Sequence, residues 1–265
     1  MKRACVLVFS GSDPSGGAGI AADIQAIAAM GAHALTVVTA LTAQDNDHVF
    51  AVHPVPAPWL THQASVLIDK MAIAAVKIGV VGNLANAEAI AAIIVALRHR
   101  NPDLPVVLDP VLASGNGDAL GQRDAVAALA PLLPLATLLT PNLPEAQALC
   151  GGDRRWERQA ETLLGLGCQH VLLKGGHAIE AQVINRWFTK DASRNWSWPR
   201  LPGTFHGSGC TLASAIAGAL ASGRPLADAL DAGQAYCHQT LQHAFAISEG
   251  QSIPDRTVIA YKETQ

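Results

Sequence analysis

Short β-branched runs alternate with longer alanine- and leucine-rich segments along this chain, and that alternation sets the expected fold. Cys5–Phe9, Ala34–Leu41, Ala75–Gly79, Val106–Asp109, Leu135–Thr140 and Val171–Lys174 predict strands. Ile20–Met30, Ala87–Arg98, Arg123–Leu132, Glu145–Leu149, Glu157–Leu166, Cys210–Ser222 and Leu226–Ala244 have the length and the lack of breakers that predict helices. Strands separated by helices predict an α/β fold: a central, mostly parallel sheet covered on both faces, giving three α/β/α layers. Val183–Trp198 breaks the rhythm with Trp187, Phe188, Trp196 and Trp198, and predicts a hairpin or edge element. With no long linker, repeat or low-complexity tail, residues 1–265 read as a single domain.

Ligands of such sheets bind outside the carboxyl ends of the strands, and the polar motifs of this chain fall there. His206–Gly207–Ser208–Gly209–Cys210 precedes a run of small residues that predicts a helix. Glycines let the backbone turn tightly with its amides exposed, and the helix start adds positive potential, which makes an anion site. A cysteine in the first turn of that helix is expected to have a depressed pKa and thiolate character.

After the first strand, Ser10–Gly19 holds closely spaced glycines ahead of a helix; it reads as a substrate or phosphate loop, or as an ordinary strand-to-helix turn. Gly17–Ala22 formally matches a dinucleotide pattern, but its first glycine lies some eight residues past the predicted strand, and no Gly–Lys–Ser/Thr of a Walker loop is present. Asp109 and Glu145 each follow a strand, where carboxylates can meet Mg²⁺ and phosphate, or can simply cap helices and complement their dipoles. Lys174, after another strand, reads as a nucleotide-phosphate contact or as a solvated lysine beside a turn. Gln44 reads as an amide that recognises a heterocycle through paired hydrogen bonds, or as a loop cap. The histidines form no metal pattern and are expected at the surface or at caps, and Trp187, Trp196 and Trp198 in a core or interface.

Composition narrows the chemistry further. A net charge of −3, with 15% charged residues, gives no footprint for nucleic acid or an anionic membrane. The apolar run Ala89–Leu97 is about half the length of a membrane span. Cys5, Cys150, Cys168, Cys210 and Cys237 are an odd, scattered set without a CxxC, which fits a reducing cytoplasm better than disulfides or structural zinc. Small-molecule chemistry is the remaining expectation.

Taken together, Ser12–Gly19 with Asp23, Thr39–Gln44, Asp109–Val111, Thr140–Glu145, Lys174–His177 and Gly207–Cys210 resemble, in order, the hydroxymethylpyrimidine/phosphomethylpyrimidine kinases of thiamine biosynthesis, members of the ribokinase-like superfamily. The resemblance covers about residues 4–245. It implies a ribokinase-like fold and phosphorylation of 4-amino-5-hydroxymethyl-2-methylpyrimidine, then of its monophosphate, by ATP and Mg²⁺. It further implies that Gln44, Asp23, Gly11, Ala18 and Val80 line the pyrimidine pocket, that Lys174, Asn142 and Glu145 serve ATP, that Asp109 and Glu145 serve Mg²⁺, and that Gly207, Gly209 and Cys210 form the catalytic turn. Cysteine at position 210 replaces the aspartate base of the wider superfamily. A homodimer is also implied.

The chain departs from that pattern at Gly115, where the family has lysine, at Asn185, where it has aspartate, and at Val80–Val81, where it has Met–Leu. The neighbouring expectations are a pyridoxal or pyridoxine kinase, or a pyrimidine-binding sensor with weakened catalysis.

Overall fold

The computed structural model describes residues 2–113, 117–118, 125–177 and 181–258. The chain opens with β1 (Cys5–Ser12), α1 (Gly19–Ala29), β2 (His33–Gln44), β3 (Val49–Pro54) and α2 (Ala57–Ile68). There follow β4 (Ile73–Ile78), α3 (Leu84–Arg100), β5 (Val106–Leu108), α4 (Ala125–Leu129), β6 (Leu138–Leu139), α5 (Leu143–Leu149) and α6 (Trp156–Gly165). The last elements are β7 (His170–Leu173), β8 (Gln182–Phe188), β9 (Ser193–Pro199), α7 (Ser208–Ala221) and α8 (Leu226–Gln242).

The strands form one nine-stranded sheet in the order β3-β2-β1-β4-β5-β6-β7-β8-β9. Pairings from β2 through β1, β4, β5 and β6 to β7 are parallel, while β3, β8 and β9 join antiparallel at the two edges. Side chains alternate across the sheet because the strand period is two. Leu7 and Phe9 of β1 therefore pack with Leu60 of α2 and Ile90 and Ile94 of α3, whereas Val6 and Val8 pack with Ile27 of α1, Ile216 of α7 and Leu230 of α8. These are the three expected layers. Both faces of β1 are fully buried, so it reads as a continuous apolar run.

The predicted strands and helices recur with shifted ends, and the aromatic segment forms the β8–β9 hairpin. Two elements escaped the pattern. In β3, Phe50 is 72% exposed, so the strand lacks a buried face to mark it. The helix α2 carries proline in its first turn, where the missing N–H costs nothing, although the same proline reads as a breaker in sequence. Strand β6 is shorter than Leu135–Thr140, because Leu133–Leu135 winds into a 3₁₀ turn. Arg123 and Asp124, the start of a predicted helix, and Gly115 lie outside the described residues. Among those described, no helix is long and apolar enough to cross a membrane.

Candidate active site

Two cavities lie beyond the carboxyl ends of the parallel strands. The smaller, about 150 Å³, is bounded by Gly11, Ala18, Gln44, Val80 and Cys210 among others. The larger, about 440 Å³, runs between the β8–β9 hairpin and α8. They share a wall of Asn142, Lys174, His177, Phe205, Ser208 and Gly209.

The floor of the smaller cavity is the loop from β1 to α1. Pairing of β1 with β2 slips one residue between Ser10 and Gly11, a bulge that turns the strand end into the cavity. Asp13 then organises the loop: Oδ1 accepts from Ser15 N at 2.8 Å and Ser15 Oγ at 2.7 Å, and Oδ2 accepts from Ala18 N at 2.7 Å. His206 Nε2 lies 2.8 Å from the same Oδ2. Burial works against the Asp13 charge, but hydrogen bonds from His206, Gln44, Ser15 and Ala18 outweigh it and hold the carboxyl well below the usual range. Gln44 stands beside Asp13 on the same cavity, and its amide carries both a donor and an acceptor.

The opposite wall is the turn into α7. Gly207 adopts φ +80°, and a side chain there would collide with the Gly17 carbonyl, so this position requires glycine. Arg256 clamps the two loops together, donating to Gly17 O and Thr211 Oγ1 while almost wholly buried. The N–H groups of the first turn of α7 have no partners within the helix and collect beside Gly209 and Cys210.

The expected depression of the Cys210 pKa is not found. Burial pushes the thiol up, and Asp23 and Asp109 add to that; Lys77 and the Gly19 N–H pull the other way without prevailing. The helix start alone does not offset desolvation of a thiolate in this position.

On the shared wall, Lys174 Nζ lies 2.7 Å from Asp109 Oδ1, which also accepts from Thr140 Oγ1 at 3.0 Å. Lys174 is thus no solvated lysine: its side chain is 12% exposed, and although burial disfavours its charge, Asp109 and Glu145 raise its pKa. The second oxygen of Asp109 faces the turn, since a Cβ on Gly209 would lie 3.5 Å from it. Asn142 and Glu145 form a capping box on α5, with Asn142 Oδ1 accepting from Glu145 N at 2.8 Å and Glu145 Oε2 accepting from Asn142 N at 2.7 Å. The helix-start reading therefore holds for Glu145, while Asn142 and Glu145 both also line the smaller cavity. Burial, reinforced by Asp109 and opposed by Lys174, pushes the Glu145 carboxyl up to about 7.

Among the described residues no cluster of three His, Cys, Asp or Glu side chains forms a complete metal cage. A pair of cavity carboxylates, one of them raised to about 7 by burial and by the other's charge, fits Mg²⁺ instead, which keeps waters and shares its shell with phosphate oxygens.

The larger cavity also holds residues that no sequence motif assigned to a site. Trp198 and His238 lie ring to ring on its wall, with centroids 4.9 Å apart. His206, on the smaller cavity, is buried against Asp13 and not at the surface. Asn185 accepts from Gly175 N at 3.0 Å and donates to Gln234 at 2.9 Å, so it braces the strand end that carries Lys174.

Asp23 corrects another expectation. It is fully buried and forms no part of the cavity wall; its Oδ1 bonds Lys77 Nζ at 2.8 Å and Ser214 Oγ at 2.6 Å. Lys77 itself was missed, though a lysine inside the apolar run Ala74–Ile78 is a readable anomaly.

Known proteins share this architecture. A Bacillus subtilis pyridoxal kinase, solved as an ADP complex, superposes with a TM-score of 0.84 at 26% identity, over 96% of this chain and 98% of its own. A phosphomethylpyrimidine kinase from Clostridium difficile 630 superposes with a TM-score of 0.76 at 31% identity, over 90% of this chain and 100% of its own. The hydroxymethylpyrimidine/phosphomethylpyrimidine kinase of Rhizobium meliloti is 40% identical over 94% of both chains. Fold and paired cavities define a small-molecule kinase of ribokinase-like architecture. The family pattern of phosphomethylpyrimidine kinase matches residues 13–255, and the chain belongs to that family.

Proposed function

We propose that residues 1–265 act as one kinase domain that phosphorylates 4-amino-5-hydroxymethyl-2-methylpyrimidine, and then its monophosphate, from ATP in thiamine biosynthesis. The observation that carries this reading is the meeting of the two cavities at Lys174 and Gly209, beside Cys210. An acceptor alcohol in the smaller cavity and a terminal phosphate entering from the larger one are brought together at the start of α7.

Recognition of the acceptor falls to Gln44. Its amide, on the wall of the smaller cavity, offers an acceptor to an exocyclic amine and a donor to the adjacent ring nitrogen, the edge of a 4-aminopyrimidine. Gly11 and Ala18 contribute backbone and Val80 an apolar contact. The amides at Gly207–Cys210 hold the transferring phosphoryl group, and the Lys174 ammonium neutralises charge on the nucleotide side.

Asp109 and Glu145 would hold Mg²⁺, which when bound neutralises phosphate charge, and the Asn142 cap fixes Glu145 in place. In its ionised form Cys210 accepts the hydroxyl proton as the new P–O bond forms and the bond to the departing ADP breaks. Because transfer passes through a loose transition state, that proton leaves late, and positioning contributes more than base strength.

The five cysteines are all free, in keeping with a reducing cytoplasm. The assembly we infer is a homodimer that covers the exposed Leu41 and Phe50 of the β2–β3 edge.

Substituting Cys210 tests the chemistry. Cys210→Ala is expected to keep pyrimidine binding by calorimetry and to lose about two orders of magnitude in kcat, the usual worth of a general base. Cys210→Asp is expected to restore part of the rate, with the acid limb of the pH profile moved down, since a carboxylate ionises below a thiol. Unchanged turnover in Cys210→Ala would remove the thiol from the mechanism. Pyridoxal kinase is the second reading, favoured by the 0.84 superposition; preference for pyridoxal over the aminopyrimidine would establish it.

A further inference from the structure

Lys77 is the largest charged side chain in the fully buried interior. It stands near the carboxyl end of β4, with Nζ 2.8 Å from Asp23 Oδ1. Its tip also reaches toward the cavity floor. A Cβ built on Gly79 would lie 2.7 Å from Lys77 Nζ and 2.8 Å from Ser10 Oγ, and Ser10 lines the smaller cavity.

On the other side, Ser214 donates to the same Asp23 oxygen at 2.6 Å. Ser214 is one turn after Cys210 on α7, so the two share a helix face. The chain Lys77–Asp23–Ser214 therefore runs directly beneath the reactive turn.

Stability does not explain this arrangement. A buried ion pair is commonly no better than apolar residues of the same size, because desolvation offsets the attraction. Moreover, Asp23 Oδ2 and Ser10 Oγ are buried without a hydrogen-bond partner among the described residues, which costs further free energy. Such a deficit at the floor of a site marks a functional constraint.

We propose that Lys77 is a positioning residue for phosphoryl transfer: its ammonium, fixed by Asp23 and placed under the first turn of α7, is the cation against which the Cys210 thiolate forms. The inference rests on the reading of Cys210 as the proton acceptor. The charged groups around Cys210 come from five directions: Lys77 on β4, Asp23 on α1, Asp109 after β5, Lys174 after β7 and Arg256 near the end of the described chain. Among them Lys77 exerts the strongest pull toward the ionised thiol, in line with the geometry. Removing it leaves Lys174, Arg256 and the Gly19 N–H as the groups that favour the thiolate against Asp23 and Asp109.

The test is the pH dependence of Cys210 alkylation by iodoacetamide in the ligand-free protein, read peptide by peptide by mass spectrometry, beside kcat and KM. Lys77→Met is expected to move the Cys210 midpoint up by about one pH unit, a tenfold loss of thiolate at fixed pH. Its kcat falls about as much while KM for the pyrimidine holds, and Lys77→Arg restores both. Because Lys77→Met strands the Asp23 charge, the folded Lys77→Met/Asp23→Asn variant is measured as well; its midpoint still rises, by less, since a negative neighbour is removed too. A midpoint at or below the wild-type value in that folded double variant overturns the proposal. A raised midpoint with unchanged turnover overturns the role of Lys77 in phosphoryl transfer, and traces the failure to the reading of Cys210 as proton acceptor because the Lys77–Cys210 coupling itself stands.

Discussion

Asp13 Oδ2 and His206 Nε2 are 2.8 Å apart although 193 residues separate them, and the pair joins the glycine loop after β1 to the turn that begins α7. The Asp13 carboxylate is held ionised far below its value in an unfolded chain. Its contribution to stability is therefore present above about pH 4 and is lost as pH falls below that. Asp13→Asn is expected to lower unfolding free energy at neutral pH by on the order of 2 kcal/mol, and the difference from wild type should shrink in acid. Urea unfolding across that pH range checks this; a constant difference would mean that the charge is irrelevant.

Gln44 offers the cleanest separation of the two substrates. It borders the smaller cavity alone, away from the larger. Gln44→Ala should raise KM for the aminopyrimidine by about 10- to 100-fold, the loss of a paired hydrogen bond, with KM for ATP unchanged. Equal effects on both constants in steady-state kinetics would count against its role.

The raised pKa of Glu145 predicts proton-linked metal use. Its carboxyl is largely neutral below about pH 7, so a divalent cation must displace a proton there. The Mg²⁺ concentration giving half-maximal rate should fall as pH rises through 7, and this dependence should flatten in Glu145→Gln. A wild-type requirement independent of pH would exclude Glu145 from the cation site.

Trp198, paired with His238 at 4.9 Å, gives the larger cavity an aromatic wall. A flat base stacked there gains about 1–3 kcal/mol by analogy with other aromatic platforms. Trp198→Ala should then raise KM for ATP by about tenfold or more without changing pyrimidine affinity. Calorimetric titration with a non-hydrolysable ATP analogue measures this directly, and unaltered affinity would show that the base lies elsewhere.

Contiguous features were the legible ones. The parallel core strands, the turns at Gly11–Gly19 and Gly207–Cys210, and the strand-end residues Asp109 and Lys174 each announce themselves within a few neighbouring residues. Contacts between distant segments leave no such trace: the clamp from Arg256 to Gly17 and the bond from His206 to Asp13 depend on how loops meet above the sheet. Asp23 was assigned to the cavity by the family resemblance, but helical phase turns it inward to Lys77. Cys210 shows the opposite limit: its motif was plain, yet its ionisation depends on burial, which no local pattern encodes.

The most direct test of the kinase reading is ADP release by the purified protein with Mg²⁺-ATP and, in parallel, 4-amino-5-hydroxymethyl-2-methylpyrimidine, its monophosphate and pyridoxal. Release with both pyrimidines, at rates well above that with pyridoxal, is the predicted result. Pyrimidine binding without ADP release from any of the three would contradict it and make the protein a sensor.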